Sequence, residues 1–284
     1  MPSFTTRFAP SPTGLLHRGH AFSALTALEA AREAGGRFLL RIEDIDRTRC
    51  RPEYEAAILE DLAWLGLSWE APVRRQSDHM ADYAAALESL RNRGLLYRDF
   101  RSRREIAEAA ASAPHGPEAA LSPGPHPPDD EAELLDRGRP FAWRLSMPAA
   151  RRALGPAFET LTFLEQGAGT QGETGTLPAR AEQAGDIVLA RKDVGVAYHL
   201  AVVVDDALQG VTHVIRGHDL FPATGVQRLL QTLLGLPEPA YRHHRLLTSP
   251  DGRRYAKRDG AQTLRELRAA GLTPQALRAE LGFG

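Results

Sequence analysis

The feature that most constrains the fold is a strand, a helix and a second strand in succession near the start of the chain. The stretch TRFAPS begins as a short strand, which Pro10 ends. A run rich in Ala, Leu and Glu over 20–34 has apolar residues at helical spacing, and the glycine pair at 35–36 ends it. The buried strand RFLLRIED follows. This order favours a parallel sheet, because parallel neighbours need a long crossover between them.

Strand-like sequence occurs in two blocks, separated by a segment of lower apolar density. The blocks cover 1–97 and 186–247 and predict an α/β fold with a Rossmann-like, doubly wound parallel sheet. The segment 98–185 between them predicts an inserted α+β subdomain with a Pro/Ala-rich linker, and the order of 111–130 stays open. In this segment FAWRLSM predicts a strand, and TLTFLEQGAGTQGETG predicts loops. The remainder, 248–284, predicts a basic loop and one helix.

The composition is that of a globular protein and excludes some kinds of site. Of the 284 residues 43% are hydrophobic and 25% are charged, and the formal net charge is -1. The chain therefore lacks the overall basic excess that many nucleic-acid binders have, although arginines cluster locally. Cys50 is the one cysteine of the sequence, which excludes an intramolecular disulfide and a zinc cage of several cysteines. We read no signal peptide and no bilayer-spanning apolar run, and we expect a cytoplasmic protein.

The stretch HRGH at 17–20 stands where the first strand turns into the first helix. His17 and His20 could share a helix face as metal ligands, but no further ligand lies near in sequence. A plain helix start is the second interpretation, although no Ser, Thr or Asp stands immediately before the helix as an N-cap. The third is a phosphate site, since helix N-termini after strands bind phosphates and Gly19 lets a ligand approach the backbone. Local chemistry favours the third.

Further stretches accompany HRGH in a fixed order along the chain. They are RIEDID at 41–46, YHLAVVVDD at 198–206, VIRGHDL at 214–220 and LGLPEPAYRHHRLL at 234–247. Together with RFAPSPTGLLHRGH they closely resemble the catalytic domain of class I glutamyl-tRNA synthetases, over most of 4–100 and 186–270. The resemblance implies the fold of that domain, ATP and Mg²⁺ as cofactors, and L-glutamate and tRNA as substrates.

The resemblance also implies roles for individual residues. His17, Gly19 and His20 would bind ATP, with the two histidines as catalytic stabilisers of phosphate charge. Glu43 would meet the amino group of glutamate. Arg216 would hold its side-chain carboxylate, which a planar guanidinium grips as a fork. The implied glutamate pocket consists of Arg7, Ala9, Ser11, Glu43, Tyr198 and Arg216.

The second nucleotide motif of the family, Lys-Met-Ser-Lys-Ser, aligns with 254–258 of this chain. Lys257 falls on the second lysine, the catalytic one expected at the phosphates of ATP, and Arg254 keeps a positive charge at the first. Ala256 replaces the serine, so a hydroxyl contact is lost. The motif is therefore an imperfect partner for HRGH.

The resemblance implies that glutamate is activated as an adenylate, by attack of its α-carboxylate on the α-phosphate of ATP. After the basic loop only one helical stretch, about 264–281, follows, so we expect no anticodon-binding domain. The chain is in this respect similar to the truncated glutamyl-queuosine tRNA(Asp) synthetases. These activate glutamate without tRNA and transfer it to the queuosine base in the anticodon of tRNA(Asp). We expect a monomer that binds the anticodon arm of tRNA(Asp).

Many members of the family carry a zinc site in the insert, built from cysteines and a tyrosine. Here Asp99 and Arg101 stand at two of the cysteine positions, and the later Tyr and Cys are absent. Because a cationic arginine is not a zinc ligand, we expect no zinc.

Two other functions remain open at this point. A truncated glutamyl-tRNA synthetase could charge the 3′ end of a tRNA, and a catalytically weak paralogue could bind nucleotide, glutamate or RNA without turnover. The altered basic loop and the missing cysteines favour the paralogue, whereas the complete glutamate pocket and both histidines favour an enzyme.

Overall fold

A computed structural model describes residues 3–102, 105, 122–191, 195–247 and 262–283. Its strands are β1 (Thr5–Phe8), β2 (Arg37–Ile42), β3 (Glu70–Arg75), β4 (Leu96–Asp99), β5 (Ala142–Leu145), β6 (Thr162–Glu165), β7 (Gly175–Pro178), β8 (Ile187–Arg191), β9 (His213–Gly217) and β10 (Ala240–His244). Its α-helices are α1 (Arg18–Glu33), α2 (Pro52–Trp64), α3 (Met80–Asn92), α4 (Pro128–Asp136), α5 (Met147–Leu154), α6 (Pro156–Glu159), α7 (Tyr198–Leu208), α8 (Ala223–Leu234), α9 (Leu264–Ala269) and α10 (Pro274–Glu280).

The first half of the fold is a parallel sheet of β1, β2 and β3, in which α1 and α2 are the crossovers. Thr5 pairs with Arg37, and the register continues to the end of β1. The predicted strand, helix and strand at the start of the chain are confirmed. The helix begins at Arg18 rather than at His20.

The second half extends this sheet. β9 and β6 lie on either side of β10, parallel to it, and β7 pairs antiparallel with β6. β9 also lies beside β1, because the Thr212 N–H donates to the Thr5 carbonyl at 2.9 Å. The order is therefore β3-β2-β1-β9-β10-β6, and the chain reverses its direction of winding between β1 and β9. The predicted doubly wound α/β fold is confirmed, and such a reversal point is where these sheets bind ligands.

One local expectation was wrong: the Gly-rich stretch predicted to form loops contains β6. The strand has the alternation of a half-buried strand, since Phe163 and Glu165 are buried while Thr162 and Leu164 are exposed. The polar, Gly-rich sequence that follows concealed this short period-two pattern. The error matters for function, because β6 places Glu165 next to β10.

The division at 98 and 185 into a catalytic domain and an insert stays a prediction, but strand pairing crosses both limits. β4 and β8 form an antiparallel sheet with β5, the strand predicted within the insert. In the other direction, β6 belongs to the sheet of the catalytic block. Of the segment 111–130, whose order was left open, residues 111–121 lie outside the described residues, and α4 begins at Pro128.

The single helix predicted over 264–281 was also wrong, since α9 and α10 are two short helices. Gly271, with a φ of +88°, lies in the turn between them. Thr273 caps α10 by accepting a hydrogen bond from the Ala276 N–H, and Pro274 cannot continue the hydrogen bonds of a preceding helix. Among the described residues no helix is both long and apolar enough to cross a membrane.

Neighbouring residues of the central strands enter separate apolar cores on the two faces of the sheet. On β2, Leu39 packs in a core with α3, α7 and α8, whereas Leu40 packs in a core with α1, α2, α9 and α10. Val214 and Ile215 on β9 divide in the same way. Each fully buried leucine contributes about 2 kcal/mol, so both faces anchor the strands whose ends form the site.

Candidate active site

A cavity of about 740 Å³ lies at the carboxyl ends of β1 and β9, where the winding of the sheet reverses. The loop after β1, the first turn of α1, the end of β2, the start of α7 and the residues after β9 and β10 line it. Every predicted site residue in the described part of the chain lines this cavity: Arg7, Ala9, Ser11, His17, Gly19, His20, Glu43, Tyr198 and Arg216. Residues that are more than two hundred positions apart in sequence are therefore brought together.

The two histidines of HRGH cap the helix behind them. His17 is the N-cap of α1 and accepts a hydrogen bond from the Gly19 N–H on Nδ1, at 3.1 Å. His20 accepts one from the His17 N–H on its own Nδ1, at 3.2 Å, which completes a capping box. The two rings stack with their centroids 3.8 Å apart. No Ser, Thr or Asp precedes the helix, as the sequence analysis noted, and a histidine supplies the N-cap side chain instead.

This cap also fixes the tautomer of both rings. A backbone N–H can only donate, so each Nδ1 must be an unprotonated acceptor and the neutral ring carries its proton on Nε2. Both histidines thus have a donor nitrogen suited to a phosphate oxygen, and their neutral form avoids a positive charge at the positive end of the helix dipole.

Gly19 leaves room for the His17 ring. A Cβ at Gly19 would lie 3.0 Å from Cε1 and 3.1 Å from Nδ1 of that ring, closer than most real contacts. The glycine was predicted to let a ligand approach the backbone, and the structure adds a second reason for its place in the motif.

Two of the predicted glutamate-binding residues are joined by a buried ion network. Arg7 Nε lies 2.9 Å from Asp206 Oδ1, and Arg41 NH1 lies 2.7 Å from the same oxygen. Arg41 NH2 in turn lies 3.1 Å from Glu43 Oε1. Arg41 is completely buried, and the carboxylates around it also raise its pKa against the effect of burial. Arg7 and Glu43 are therefore connected through Asp206 and Arg41.

The pKa shifts in this network have opposite directions. Burial alone would raise the pKa of Asp206, but the cations Arg7 and Arg41 outweigh it and hold that pKa below its ordinary value. For Glu43 burial is the stronger effect and raises the pKa, even though Arg41 and Arg7 act against it. Glu43 is therefore the less firmly ionised of the two carboxylates.

The sequence analysis assigned no role to Arg41, Asp205 or Asp206. Asp205 accepts hydrogen bonds from Arg74 Nε at 2.7 Å and from Tyr83 OH at 2.9 Å. A signal was present in the sequence: two consecutive aspartates end the apolar run AVVV, and a fully buried acid needs a partner. The partners could not be named, since Arg7 and Arg41 come from strands far away in sequence.

Arg216 is buried, with 5% of its surface exposed, and it lines the cavity. Its described partners are neutral side chains: Nε donates to His243 Nε2 at 3.0 Å, NH1 to Gln227 Oε1 at 2.8 Å and NH2 to Thr224 Oγ1 at 2.8 Å. No described carboxylate forms an ion pair with it. One hydrogen remains on each terminal nitrogen, so the guanidinium can still donate twice to an anion.

The chain matches known proteins over most of its length. The model of the family "tRNA synthetases class I (E and Q), catalytic domain" matches residues 3–133 and 174–283. A glutamyl-Q tRNA(Asp) synthetase of Rhodobacter capsulatus is 49% identical over 284 residues, which cover 98% of this chain and 99% of that protein. Another, from Nocardia farcinica, is 46% identical over 97% of this chain and 82% of its own length. The chain belongs to the glutamyl-Q tRNA(Asp) synthetase family of class I tRNA synthetases.

A solved structure supports the fold of this glutamyl-Q tRNA(Asp) synthetase family member. The crystal structure of a glutamate tRNA ligase from Elizabethkingia meningosepticum, in complex with its amino acid, matches with a TM-score of 0.71 at 29% identity. The match covers 91% of this chain but 52% of that one, so the chain spans about half the length of the solved ligase.

The predicted basic loop of the family, with Arg254 and Lys257, lies outside the described residues. The described chain on either side of it ends at the cavity. Leu247 lines the cavity, and Thr263 forms a β-bridge with His17. Leu264 N–H also donates to the Leu16 carbonyl at 2.8 Å. Of the described residues that flank this segment, Leu247 therefore lies at the cavity and Thr263 lies beside His17.

The positions that carry cysteines in many members of the family lie in an ion-pair cluster here. Asp99 is buried and accepts hydrogen bonds from Arg144 Nε at 2.5 Å and from the Arg101 N–H at 3.2 Å. Arg101 Nε also lies 3.4 Å from Asp99. Within the described ranges no group of three or more His, Cys, Asp or Glu side chains could hold a metal ion. The expectation that the chain binds no zinc stays a prediction.

A second cavity, of about 980 Å³, adjoins the first. The two share Ser11, Thr13, Glu43 and Tyr198 as lining residues. The other residues that line the second cavity include two aromatic side chains and several arginines, among them Phe100, Phe141, Arg101, Arg139 and Arg144. A ligand in it would therefore lie beside the predicted glutamate pocket.

Proposed function

We propose that this chain uses ATP to activate L-glutamate without tRNA, and that it then transfers the glutamate to the queuosine base in the anticodon of tRNA(Asp). Two relatives that match over 97% or more of this chain and 82% or more of their own length are named glutamyl-Q tRNA(Asp) synthetase. The proposal gives the site residues the roles that the family resemblance implies.

The observation that carries the proposal is the state of Arg216. A buried arginine without a carboxylate partner is costly unless a ligand supplies the negative charge. The side-chain carboxylate of glutamate has two acceptor oxygens for the two N–H groups that remain on Arg216. Glu43 and Arg7 line the same cavity and provide the opposite charges for the ammonium and the α-carboxylate.

In the first step an oxygen of the glutamate α-carboxylate attacks the α-phosphorus of ATP, the bond to the β-phosphate oxygen breaks, and pyrophosphate leaves. His17 and His20 donate to phosphate oxygens through Nε2, and Lys257 and Arg254 approach the phosphates from the basic loop. Catalysis comes from positioning and from donors aimed at developing charge.

In the second step a ring hydroxyl of queuosine attacks the carbonyl carbon of the adenylate, and AMP leaves. We place the base in the second cavity, because this cavity meets the first at Glu43 and Tyr198. Aromatic rings suit stacking with a base, and arginines suit the phosphates of an anticodon arm. Burial raises the pKa of Tyr198, so its hydroxyl stays protonated as a donor.

Mg²⁺ would neutralise phosphate charge when ATP is bound. We further propose that the enzyme acts as a monomer in the cytoplasm, where its nucleotide and tRNA substrates occur. Sedimentation of the purified chain tests the monomer.

The experiment is pyrophosphate exchange with L-glutamate and ATP, followed by transfer of labelled glutamate to tRNA(Asp). We expect exchange without any tRNA, and labelling of queuosine-containing tRNA(Asp) but not of the same tRNA without queuosine. Exchange that needs tRNA, or label at the 3′ end, would show a tRNA-charging enzyme instead. Equal labelling of both forms would exclude queuosine as the acceptor, and no exchange at all would indicate a binding paralogue.

A further inference from the structure

Two buried side chains, His243 and Glu165, are hydrogen-bonded in series behind Arg216 and do not line the cavity. His243 Nε2 accepts from Arg216 Nε at 3.0 Å, and His243 Nδ1 lies 2.5 Å from Glu165 Oε2. The side chains of Glu165 and His243 are both 0% exposed. A buried glutamate and histidine in line behind a substrate-facing arginine need a reason beyond apolar packing.

The donor and the acceptor of each hydrogen bond between Arg216, His243 and Glu165 can be assigned. The Arg216 Nε–H can only donate, so Nε2 of His243 must be the acceptor and its proton lies on Nδ1. Nδ1–H therefore donates to Glu165. Burial and the cation Arg216 lower the pKa of His243, against the opposing effect of Glu165, so the ring is neutral.

The other carboxylate oxygen of Glu165 also accepts hydrogen bonds. Its Oε1 accepts hydrogen bonds from the His243 N–H at 2.9 Å and the Gly167 N–H at 2.8 Å. Burial would raise the pKa of Glu165, but these bonds outweigh it and lower the pKa, so the carboxylate is ionised. It can only accept, and this fixes the His243 tautomer from the side opposite Arg216.

The guanidinium of Arg216 is thereby held on three sides, by His243 on Nε and by Gln227 and Thr224 on the terminal nitrogens. The two remaining hydrogens suit two acceptor oxygens. A carboxamide has only one oxygen, and its NH₂ group would meet a second donor. The preference for an acid over an amide therefore depends on a guanidinium that cannot rotate.

We propose that Glu165 and His243 are positioning residues, which fix the plane of Arg216 and so set the preference for glutamate over glutamine. This inference rests on the proposed function, in which Arg216 binds the side-chain carboxylate. Neither residue touches the substrate, since neither lines the cavity.

The decisive variant is Glu165→Gln. Its amide oxygen can still accept from the two backbone N–H groups, but its NH₂ now faces His243 Nδ1 and forces the proton of the ring to Nε2. An N–H then faces the Arg216 Nε–H. We expect the KM for glutamate to rise about 10- to 100-fold, because that is the effect of losing a hydrogen bond to a charged group. The kcat and the KM for ATP should change little. Selectivity against glutamine should fall by a similar factor.

The matched control is Tyr241→Phe. It removes the buried hydrogen bond between Gln231 Nε2 and Tyr241 OH, of 3.0 Å, on the same strand as His243, but keeps the ring beside Arg216. We expect this variant to lose thermal stability and to keep the glutamate KM. A merely structural role of Glu165 would make the two variants alike.

A second measurement needs no variant. Nitrogen-15 NMR of the histidine rings of the wild-type chain should show the neutral Nδ1-protonated tautomer for His243. An Nε2-protonated ring would overturn the proposal, as would a folded Glu165→Gln variant with unchanged glutamate KM and unchanged selectivity. Absence of glutamate-dependent exchange in the wild type would instead contradict the proposed function, and the tautomer would still test the positioning chain.

Discussion

Asp206 Oδ1 lies 2.9 Å from Arg7 Nε, although 199 positions separate the two residues in the chain. The contact joins the first strand to the end of α7, and Arg41 binds the same oxygen. Because Arg7 and Glu43 both face the cavity, the shape of the glutamate pocket depends on an aspartate outside it.

Replacement of Asp206 should therefore reduce both stability and binding of glutamate. In Asp206→Asn two buried arginines lose one carboxylate, which costs about 3–5 kcal/mol of unfolding free energy for a broken buried pair. The KM for glutamate should rise more than the KM for ATP. Urea unfolding and pyrophosphate exchange measure the two effects. Glu70→Gln, which breaks the exposed pair with Arg37, is the control and should change neither.

The two roles of His17, helix cap and phosphate donor, can be separated. Asparagine is among the best N-caps, so the free energy of unfolding of His17→Asn should lie within about 1 kcal/mol of that of the wild type. It lacks the Nε2 donor, so exchange should slow by about tenfold or more. His17→Ala loses both functions and should be destabilised as well. Fast exchange by His17→Asn would mean that the histidine serves only the helix.

Lys257→Ala tests the basic loop, which lies outside the described residues. Lys257 is assigned to the phosphates by alignment with the second lysine of the family motif. The variant should slow pyrophosphate exchange severely and leave the fold intact, as a melting temperature close to that of the wild type would show. Near-normal exchange would show that the alignment is wrong. Ala256→Ser is a useful companion, since it restores the hydroxyl that the family motif has.

Asp61 should make stability depend on pH. It is 1% exposed, its Oδ2 has no described hydrogen-bond partner, and burial raises its pKa from 3.8 to about 6. The unfolded chain ionises this group more easily, so the contribution of Asp61 to stability is greatest below pH 3.8 and falls as the pH rises through 6. At pH 7 Asp61→Asn should therefore be more stable than the wild type by about 1–3 kcal/mol. Urea titrations at several pH values should show this difference shrinking on acidification, and a constant difference would contradict it.

The cluster around Asp99 predicts how the chain responds to removal of metal. Its ion pairs occupy the positions of family zinc ligands, so a zinc chelator should leave the melting temperature unchanged. Arg144→Met leaves the buried Asp99 with a poorer set of partners and should cost about 3 kcal/mol. Arg139→Met is the control, because Arg139 is exposed and lines the second cavity as Arg144 does; it should have little effect on stability. A melting temperature that falls with chelator would show that a metal contributes after all.

The sequence predicted the parts of the fold that depend on local pattern. Apolar spacing and the breaks at proline and glycine predicted β1, α1 and β2, and the family motifs predicted residues that the fold collects in one cavity. Where the pattern was short or masked by polar sequence, as in β6, or where one turn divided a helical run, as between α9 and α10, the prediction was wrong. The histidine caps were missed because imidazole is an uncommon N-cap.

The sequence by itself determined the doubly wound fold, because this depends on the periodicity and order of its elements. The resemblance of its motifs to those of a known family indicated the family and the groups that would bind a nucleotide and an acidic amino acid. Only the tertiary structure decided which charges pair. Arg7 with Asp206 and Arg216 with His243 and Glu165 are long-range contacts, formed where strands meet inside the protein. A buried charge needs a partner within a few ångströms, and sequence position does not determine which groups the fold brings that close.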